Sequence, residues 1–202
     1  MTSMTNKSIG KLSSHTDIYT LRLATLDDAY EIWSVMDTCF QTLEHKEFFI
    51  YDDLDYVKDI LFGHGFGVVA CDMDGNIVGN LLVKYPGLNE ENLGYDVFGK
   101  SFEANEIAAP CNIALTLGNL NCVLHMDSAS VLPEHRGHSL ERKMITFAET
   151  LVDTSKYCYS FATVAPENTA SLKSLKKNGY QLMVTKEKYA GYVRCVMMKE
   201  LK

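Results

Sequence analysis

The spacing of apolar residues along this chain predicts its elements. Residues 18–23 alternate between apolar and polar positions, as in a half-buried strand. Apolar residues then recur every three or four positions over 32–40, which indicates an amphipathic helix that begins near Thr25. Three aspartates at 52, 53 and 55 precede apolar positions over 57–61 and predict a second helix.

A hairpin follows the two helices. Residues 66–71 and 77–85 are rich in apolar and β-branched side chains, and the Asp74-Gly75 step between them is a strong turn signal. Residues 88–119 are polar with no clear period, so we predict a long loop there, and loops of that length in compact domains are usually functional or mobile.

The centre of the chain changes from a strand pattern to a helix pattern. Residues 122–131 read as a buried strand, and Pro133 ends it. Helical spacing then runs from about 140 to 152. This apolar stripe consists of Leu140, Met144, Phe147, Ala148 and Leu151.

The last part of the chain predicts another helix over 171–177 and strands over 180–185 and 194–199. The element order is β-α-α-β-β-loop-β-α-β-α-β-β. This order predicts an α/β (α+β) fold with a mixed sheet and helices on both faces. We expect residues 1–17, rich in Ser, Thr, Lys and Asn, to form a loose leader, and residues 18–202 to form one domain.

Composition excludes several functional classes. The net charge of −7 and the dispersed lysines argue against a nucleic-acid partner, because phosphate contacts need a basic face. The six cysteines include no Cys-x-x-Cys pair, which predicts reduced thiols with neither a metal site nor a disulfide framework. No apolar run approaches the roughly 18 residues that cross a bilayer, so we predict a cytoplasmic protein without a membrane partner.

The turn at 134–139 is the strongest candidate for chemistry. It places Arg136, Gly137 and Ser139 directly before a helix, where free backbone N–H groups and the positive end of the helix dipole converge. Such a turn suits a phosphate or diphosphate group. The alternative is that the glycine and the serine are only turn and N-cap residues.

The segment Val131-x-Pro133-Glu134-x-Arg136-Gly137-x-x-Leu140 resembles the acyl-CoA signature of the GNAT superfamily of N-acetyltransferases, Arg/Gln-x-x-Gly-x-Gly/Ala. Ser139 and Glu141 stand where that pattern has glycines. The resemblance implies that the strand edge at Ser130, Val131 and Leu132 pairs with the pantetheine arm. By the same resemblance, the residues that hold acetyl-CoA in this segment are Ser130, Val131, Arg136, Gly137, His138, Ser139 and Leu140.

A second match lies downstream, where Asn168-x-x-Ser171 followed by Gly179-Tyr180 looks like the family's Asn-x-x-Ala/Ser helix that ends in Gly-Phe/Tyr. The resemblance implies that Asn168 contacts pantetheine and that Ser171 belongs to the same cofactor site. The residues alone are also explained by Asn168 as a helix N-cap and Gly179 as a helix stop, and both roles are compatible with cofactor binding.

Asp127, within an apolar strand, is the candidate general base, since many family members carry an acidic residue at the matching position. Strand alternation predicts that Asp127 shares a face with His125 and lies opposite Ser128. His125 is the second candidate. The alternative is a structural aspartate that anchors a neighbouring loop, because a buried carboxylate needs hydrogen-bond partners.

The general acid has no obvious residue. The family commonly uses a tyrosine seven residues after the asparagine, and Leu175 occupies that position here. Tyr180, Tyr189 and Tyr192 are possible substitutes, each with a packing role as its alternative, and we place Tyr189 among the candidate catalytic groups.

The resemblance implies an acetyltransferase that moves an acetyl group directly from acetyl-CoA to an amine, with no metal. The acceptor would be a small-molecule amine, or a protein amine, selected by the loop at 88–119. Two alternatives stay open: a catalytically inactive acyl-CoA-binding module of the same fold, and an unrelated α/β protein. The sequence leaves the oligomeric state open, with a homodimer among the options.

Overall fold

A computed structural model describes residues 18–85, 121–189 and 191–201. The predicted leader at 1–17 and the loop at 88–119 lie outside the described residues. The strands are β1 Thr20–Leu23, β2 Gly65–Cys71, β3 Ile77–Lys84, β4 Val123–Val131, β5 Tyr159–Val164, β6 Gln181–Lys188 and β7 Tyr192–Glu200. The helices are α1 Ala29–Thr42, α2 Leu54–Asp59, α3 Leu140–Leu151 and α4 Thr169–Lys177. This is the predicted order of elements.

The strands form one mixed sheet in the order β1-β2-β3-β4-β5-β7-β6. Helices cover both faces, as the sequence predicts. On one face Ile32 and Met36 of α1 and Val57 of α2 pack with Val69 and Leu82 of the sheet. On the other face α3 and α4 pack on side chains of β2 to β5 and β7. The helical members of this second cluster are Leu140, Met144, Ile145, Ala148 and Leu175.

One residue of the predicted stripe in α3 faces solvent. Leu151 is 43% exposed, whereas Ile145 is buried. The helix ends at Leu151, and Val152 adopts an extended conformation, so the last turn leaves the surface of the sheet. None of the helices in the described ranges is long and apolar enough to span a bilayer.

The two central strands separate part-way along their length. β4 runs parallel to β5, but their pairing covers only 123–125 with 159–161. Beyond His125 the strands are no longer paired, although both continue, to Val131 and Val164 respectively. A groove therefore opens between β4 and β5, and it faces the turn that leads into α3.

A β-bulge interrupts β4 beside this groove. Leu81 pairs with Ala129 and Val83 with Met126, so Asp127 and Ser128 together stand opposite one residue of β3. A bulge places an extra residue in one strand and changes the direction of the neighbouring side chains. The strict alternation predicted for this strand is therefore wrong at Ser128, whose hydroxyl lies 3.2 Å from Asp127 Oδ2.

Candidate active site

The turn before α3 has the backbone of an anion cradle. Gly137 and Ser139 both have left-handed backbone angles, with φ of +86° and +58°. Ser139 occupies the N-cap position, yet within the described chain its side chain makes no capping hydrogen bond. The first N–H groups of the helix are thus left for another partner, and the helix dipole adds positive potential at the same place.

Four side chains make contacts at this turn. Arg136 donates from Nε to Val131 O over 3.1 Å, which holds its guanidinium at the end of β4. Tyr19 Oη lies 3.0 Å from His135 Nδ1, and the Tyr19 ring is 5.2 Å from the ring of His138. The predicted cofactor residues from Arg136 to Leu140 therefore lie together at one end of the groove.

Fewer residues of β4 have backbone groups facing the groove than the sequence predicts. The Leu132 N–H donates to Val78 O over 3.0 Å, so Leu132 bonds to β3 and the prediction that it forms a free edge is wrong. Backbone groups alternate between the two sides of a strand, which turns Val131 towards the groove and Ser130 towards β3. Ser130 pairs with Asn80 and is 5% exposed.

The second predicted motif lies across the groove at the start of α4. Asn168 Oδ1 accepts a hydrogen bond from the Ser171 N–H over 3.2 Å, so Asn168 is the N-cap of α4. Ser171 Oγ donates to Glu141 Oε1 of α3 over 2.6 Å. Glu141 therefore points at α4, and burial raises the pKa of its carboxyl above the usual range.

A cavity of about 820 Å³ extends from these residues along the groove. At one end it is lined by Glu141, Asn168 and Ser171, and along its sides by β4 and β5. Its far end is formed by β4, β6 and β7 and by residues before α2. Of the predicted site residues it brings together Asp127, His125, Tyr189, Asn168 and Ser171, whereas Ser130, Val131 and Arg136 to Leu140 lie outside its lining.

Asp127 lies at the centre of a hydrogen-bonded cluster at the far end. Tyr56 Oη donates to Asp127 Oδ2 over 2.6 Å, and His125 Nδ1 lies 3.3 Å from Asp127 Oδ1. The Ser128 hydroxyl lies 3.0 Å from Asp52 Oδ2 as well as beside Asp127. The bulge in β4 is what allows Asp127 and Ser128 to enter the same cluster.

Burial and mutual charge shift the pKa values in this cluster. Burial first, and the nearby Asp127 charge second, raise the pKa of Asp52 to about 6. The same two causes raise the pKa of Tyr56 well above its usual range, so its hydroxyl stays protonated at neutral pH and acts as a donor. The cluster therefore holds the Asp52 carboxyl, which titrates near neutral pH, and the Tyr56 phenol, which keeps its proton.

The three candidate tyrosines differ in position. Tyr189 lines the cavity, and its hydroxyl lies 3.1 Å from Thr163 Oγ1 of β5. Tyr180 is 2% exposed and bonds to Ser160 Oγ over 2.6 Å, so it is a core residue. Tyr192 lies outside the lining of the cavity. Of the three, only Tyr189 lines the cavity that also contains the candidate base.

Sequence reasoning missed two members of the cluster, Tyr56 and Asp52. The acidic run before α2 was interpreted only as a helix start, and Asp53 does cap that helix through the Tyr56 N–H. No sequence signal separates Asp52 from its neighbours at 53 and 55. Among the described residues, no group of three or more His, Cys, Asp or Glu side chains is arranged to hold a metal ion.

Solved structures of acetyltransferases share this architecture. A GNAT-family acetyltransferase from Streptococcus pneumoniae aligns with TM-score 0.65 at 12% identity, over 91% of this chain and 99% of that one. NAA60 from Arabidopsis thaliana in complex with acetyl-CoA aligns with TM-score 0.65 at 9% identity, over 91% of this chain and 98% of that one. Naa20 from Chaetomium thermophilum, in complex with a bisubstrate analogue, aligns with TM-score 0.61 at 17% identity, over 90% of this chain and 86% of that one.

No protein-family model and no curated protein matches the chain. At such low identity, structural likeness shows a shared arrangement of the elements. The shared arrangement is the seven-stranded mixed sheet with helices on both faces. The chain therefore has the fold of the GNAT-family acetyltransferases.

Proposed function

We propose that the protein is an acetyl-CoA-dependent N-acetyltransferase of the GNAT superfamily that transfers the acetyl group directly to an amine. One observation carries the proposal. A single groove between β4 and β5 leads from an uncapped helix N-terminus to a carboxylate cluster in a cavity of the sheet. The first end suits a diphosphate, and the second suits an amine that must lose a proton.

The residues at hand fit acetyl-CoA. The N–H groups of the turn around Gly137 and Ser139, together with Arg136, would hold the diphosphate. The Val131 backbone and the Asn168 side chain would contact the pantetheine arm across the groove. Acetyl-CoA supplies the acetyl group as a thioester, which an amine attacks with release of the CoA thiol.

The cavity supplies the proton transfers. Asp127 accepts the proton of the incoming ammonium, directly or through water, with His125 as the second candidate base. Tyr56 acts as a positioning residue, since its hydroxyl fixes one Asp127 oxygen. Tyr189 is the proposed proton donor to the departing sulfur, because it is the candidate tyrosine on the cavity wall.

The test is a thiol-release assay with acetyl-CoA and a panel of primary amines. We expect amine-dependent release of free CoA that saturates with both substrates. A protein that binds acetyl-CoA and releases no thiol with any amine would contradict the proposed reaction. The predicted cytoplasmic location and a homodimer stay proposals that this assay does not address.

The pH dependence of turnover follows from Asp52. Its pKa of about 6 lies near neutrality, so the Asp52 carboxyl is ionised above that pH and neutral below it. We expect kcat/KM to rise as pH increases through about 6, because the Asp52 carboxylate adds negative charge where the ammonium binds. In Asp52→Asn this ionisation should be absent from the pH profile, and an unchanged profile would contradict the assignment.

A catalytically inactive acyl-CoA-binding module is the second candidate. It is favoured by Leu175, which is 3% exposed and lines the cavity where the family commonly has its tyrosine. It is also favoured by Glu141 at a position where the family has a glycine. This candidate predicts acetyl-CoA binding without thiol release, so the amine panel separates the two.

Glu141 should set how tightly acetyl-CoA binds. Its carboxyl is buried beside Ser171, in the first turn of α3 next to the proposed diphosphate site, and its ionised form would repel that group. We expect Glu141→Gln to bind acetyl-CoA about tenfold more tightly at pH 8, equal to about 1.4 kcal/mol. The gain should shrink at lower pH, where the wild-type carboxyl is protonated. Calorimetry at several pH values measures it, and equal affinities throughout would contradict the prediction.

A further inference from the structure

Three cations of the β6–β7 hairpin line one side of the cavity: Lys186, Lys188 and Arg194, hereafter the basic wall. Lys186 and Arg194 stand directly opposite each other in the β6–β7 register. Like charges that face each other across a strand pair destabilise it. Glu187, which lies between the two lysines and also lines the cavity, is exposed, whereas both lysines are half-buried.

Arg194 is the most deeply buried cation of this wall, with 3% exposure. It donates from Nη1 to Val193 O over 3.0 Å and from Nη2 to Glu47 O over 2.6 Å. Its guanidinium also lies 5.8 Å from the Tyr189 ring and 5.3 Å from the Tyr192 ring. In the described part of the chain it forms no ion pair with a carboxylate, and the Glu47 carboxylate is bonded to His45 instead.

A buried charge without an ion-pair partner is unfavourable, and burial lowers the pKa of Arg194 below its usual range although the nearby charges of Glu167 and Glu47 act in the opposite direction. The hydrogen bond to Glu47 O gives one N–H of the guanidinium a structural role, because it links the segment before α2 to β7. A neutral donor could form the same hydrogen bond, so this contact does not explain why the side chain is charged. The positive charge is explained if a ligand places an anion on the basic wall.

The opposite side of the cavity has the opposite charge. Asp52 and Asp127 face it from the segment before α2 and from β4, with Lys84 nearby over the Tyr56 ring at 5.7 Å. The proposed diphosphate site at the α3 turn lies outside the lining of this cavity, so that group does not account for the basic wall.

We propose that the acceptor is an amino carboxylate, a small molecule with its amine at Asp127 and its carboxylate at Arg194. The inference rests on the proposed acetyl transfer and names its substrate class. A planar guanidinium matches a carboxylate with two parallel hydrogen bonds, which a lysine cannot offer. An acceptor with cations at both ends would bring a positive group against Arg194.

The test compares acceptors that differ only in charge at the far end. Glycine, 3-aminopropanoate, 4-aminobutanoate and 6-aminohexanoate are each measured against their own primary carboxamides and against the diamine of equal length. We expect at least one amino carboxylate to exceed its carboxamide by tenfold or more in kcat/KM, mainly through KM. Carboxamides or diamines that equal or exceed every amino carboxylate would overturn the proposal.

Two variants locate the preference. In Arg194→Gln the ratio of kcat/KM for carboxylate over carboxamide should fall about tenfold, and Arg194→Lys should restore part of it. Lys186→Gln, which leaves the Glu47 contact intact, should lower the ratio by a smaller factor and guards against misfolding of the Arg194 variants. The control Lys58→Gln, in an exposed pair with Asp55 on α2, should leave the ratio unchanged. A ratio that is unchanged in Arg194→Gln would overturn the proposal.

A binding measurement keeps this inference separate from acetyl transfer. The Tm of the CoA-saturated protein should rise with the preferred amino carboxylate, and that rise should be lost in Arg194→Gln. If no amine releases CoA but this shift is present, the acetyltransferase proposal fails and the anion site stands. If CoA is released with amines but neither kinetics nor Tm favours a carboxylate, the anion site fails and acetyl transfer stands.

Discussion

Replacing Asp127 with asparagine should lower kcat by about 10²- to 10⁴-fold, the usual contribution of a positioned general base. Asparagine has nearly the same shape and can still accept the hydrogen bond from Tyr56, so the cluster should keep its geometry. It cannot accept a proton from the amine. The affinity for acetyl-CoA should stay the same, because Asp127 lies at the far end of the cavity from the proposed diphosphate site.

The measurement is initial-rate thiol release, with acetyl-CoA affinity determined separately by calorimetry. Asp55→Asn is the matched control, since Asp55 is an exposed carboxylate of α2 that pairs with Lys58. It should change kcat by less than about twofold. If Asp127→Asn keeps a third or more of wild-type kcat, Asp127 is a structural aspartate and His125 becomes the candidate base.

The largest effect on acetyl-CoA binding should come from Arg136→Glu. The guanidinium is fixed at the end of β4 by its bond to Val131 O, beside the left-handed turn. The variant removes charge-assisted hydrogen bonds, worth about 1.5 to 3 kcal/mol each, and places a negative charge next to the diphosphate. We expect the Kd for acetyl-CoA to rise about 100-fold or more, measured by calorimetric titration.

Lys177→Glu is the control for charge reversal, since it makes the same change in net charge at the exposed end of α4. Its Kd should stay within about threefold of wild type, with screening at physiological salt as the reason. Equal losses of acetyl-CoA affinity in both variants would show a general effect of charge. An unchanged Kd in Arg136→Glu would show that Arg136 does not hold the diphosphate.

The order of elements could be predicted because the signals for them are local. The change from strand spacing to helical spacing after Pro133 gave α3 to within one residue of its observed end at Leu151. The two GNAT-like motifs are also short segments, and they follow the neighbouring strands β4 and β5 at the end where these strands separate. Both predictions needed only residues that are neighbours in the chain.

The missing parts of the site depend on contacts between distant residues. Tyr56 bonds to Asp127 across 71 positions, and Asp52 meets Ser128 across 76. The bulge that turns Ser128 towards Asp127 breaks the period-two rule without any change of composition. The burial of Arg194 could not be predicted from the sequence, because an arginine in a strand pattern is normally exposed. Its burial depends on contact with the segment before α2.

We expect acetyl-CoA to lie along the groove between β4 and β5, from the α3 turn to Asp127. The decisive experiment is a crystal structure of the protein grown with acetyl-CoA. The diphosphate should lie against the backbone N–H groups at Gly137 to Leu140, and the thioester should lie inside the cavity beside Asp127. A diphosphate bound elsewhere, or a groove blocked by Glu141 with the ligand outside it, would rule out this mode of binding.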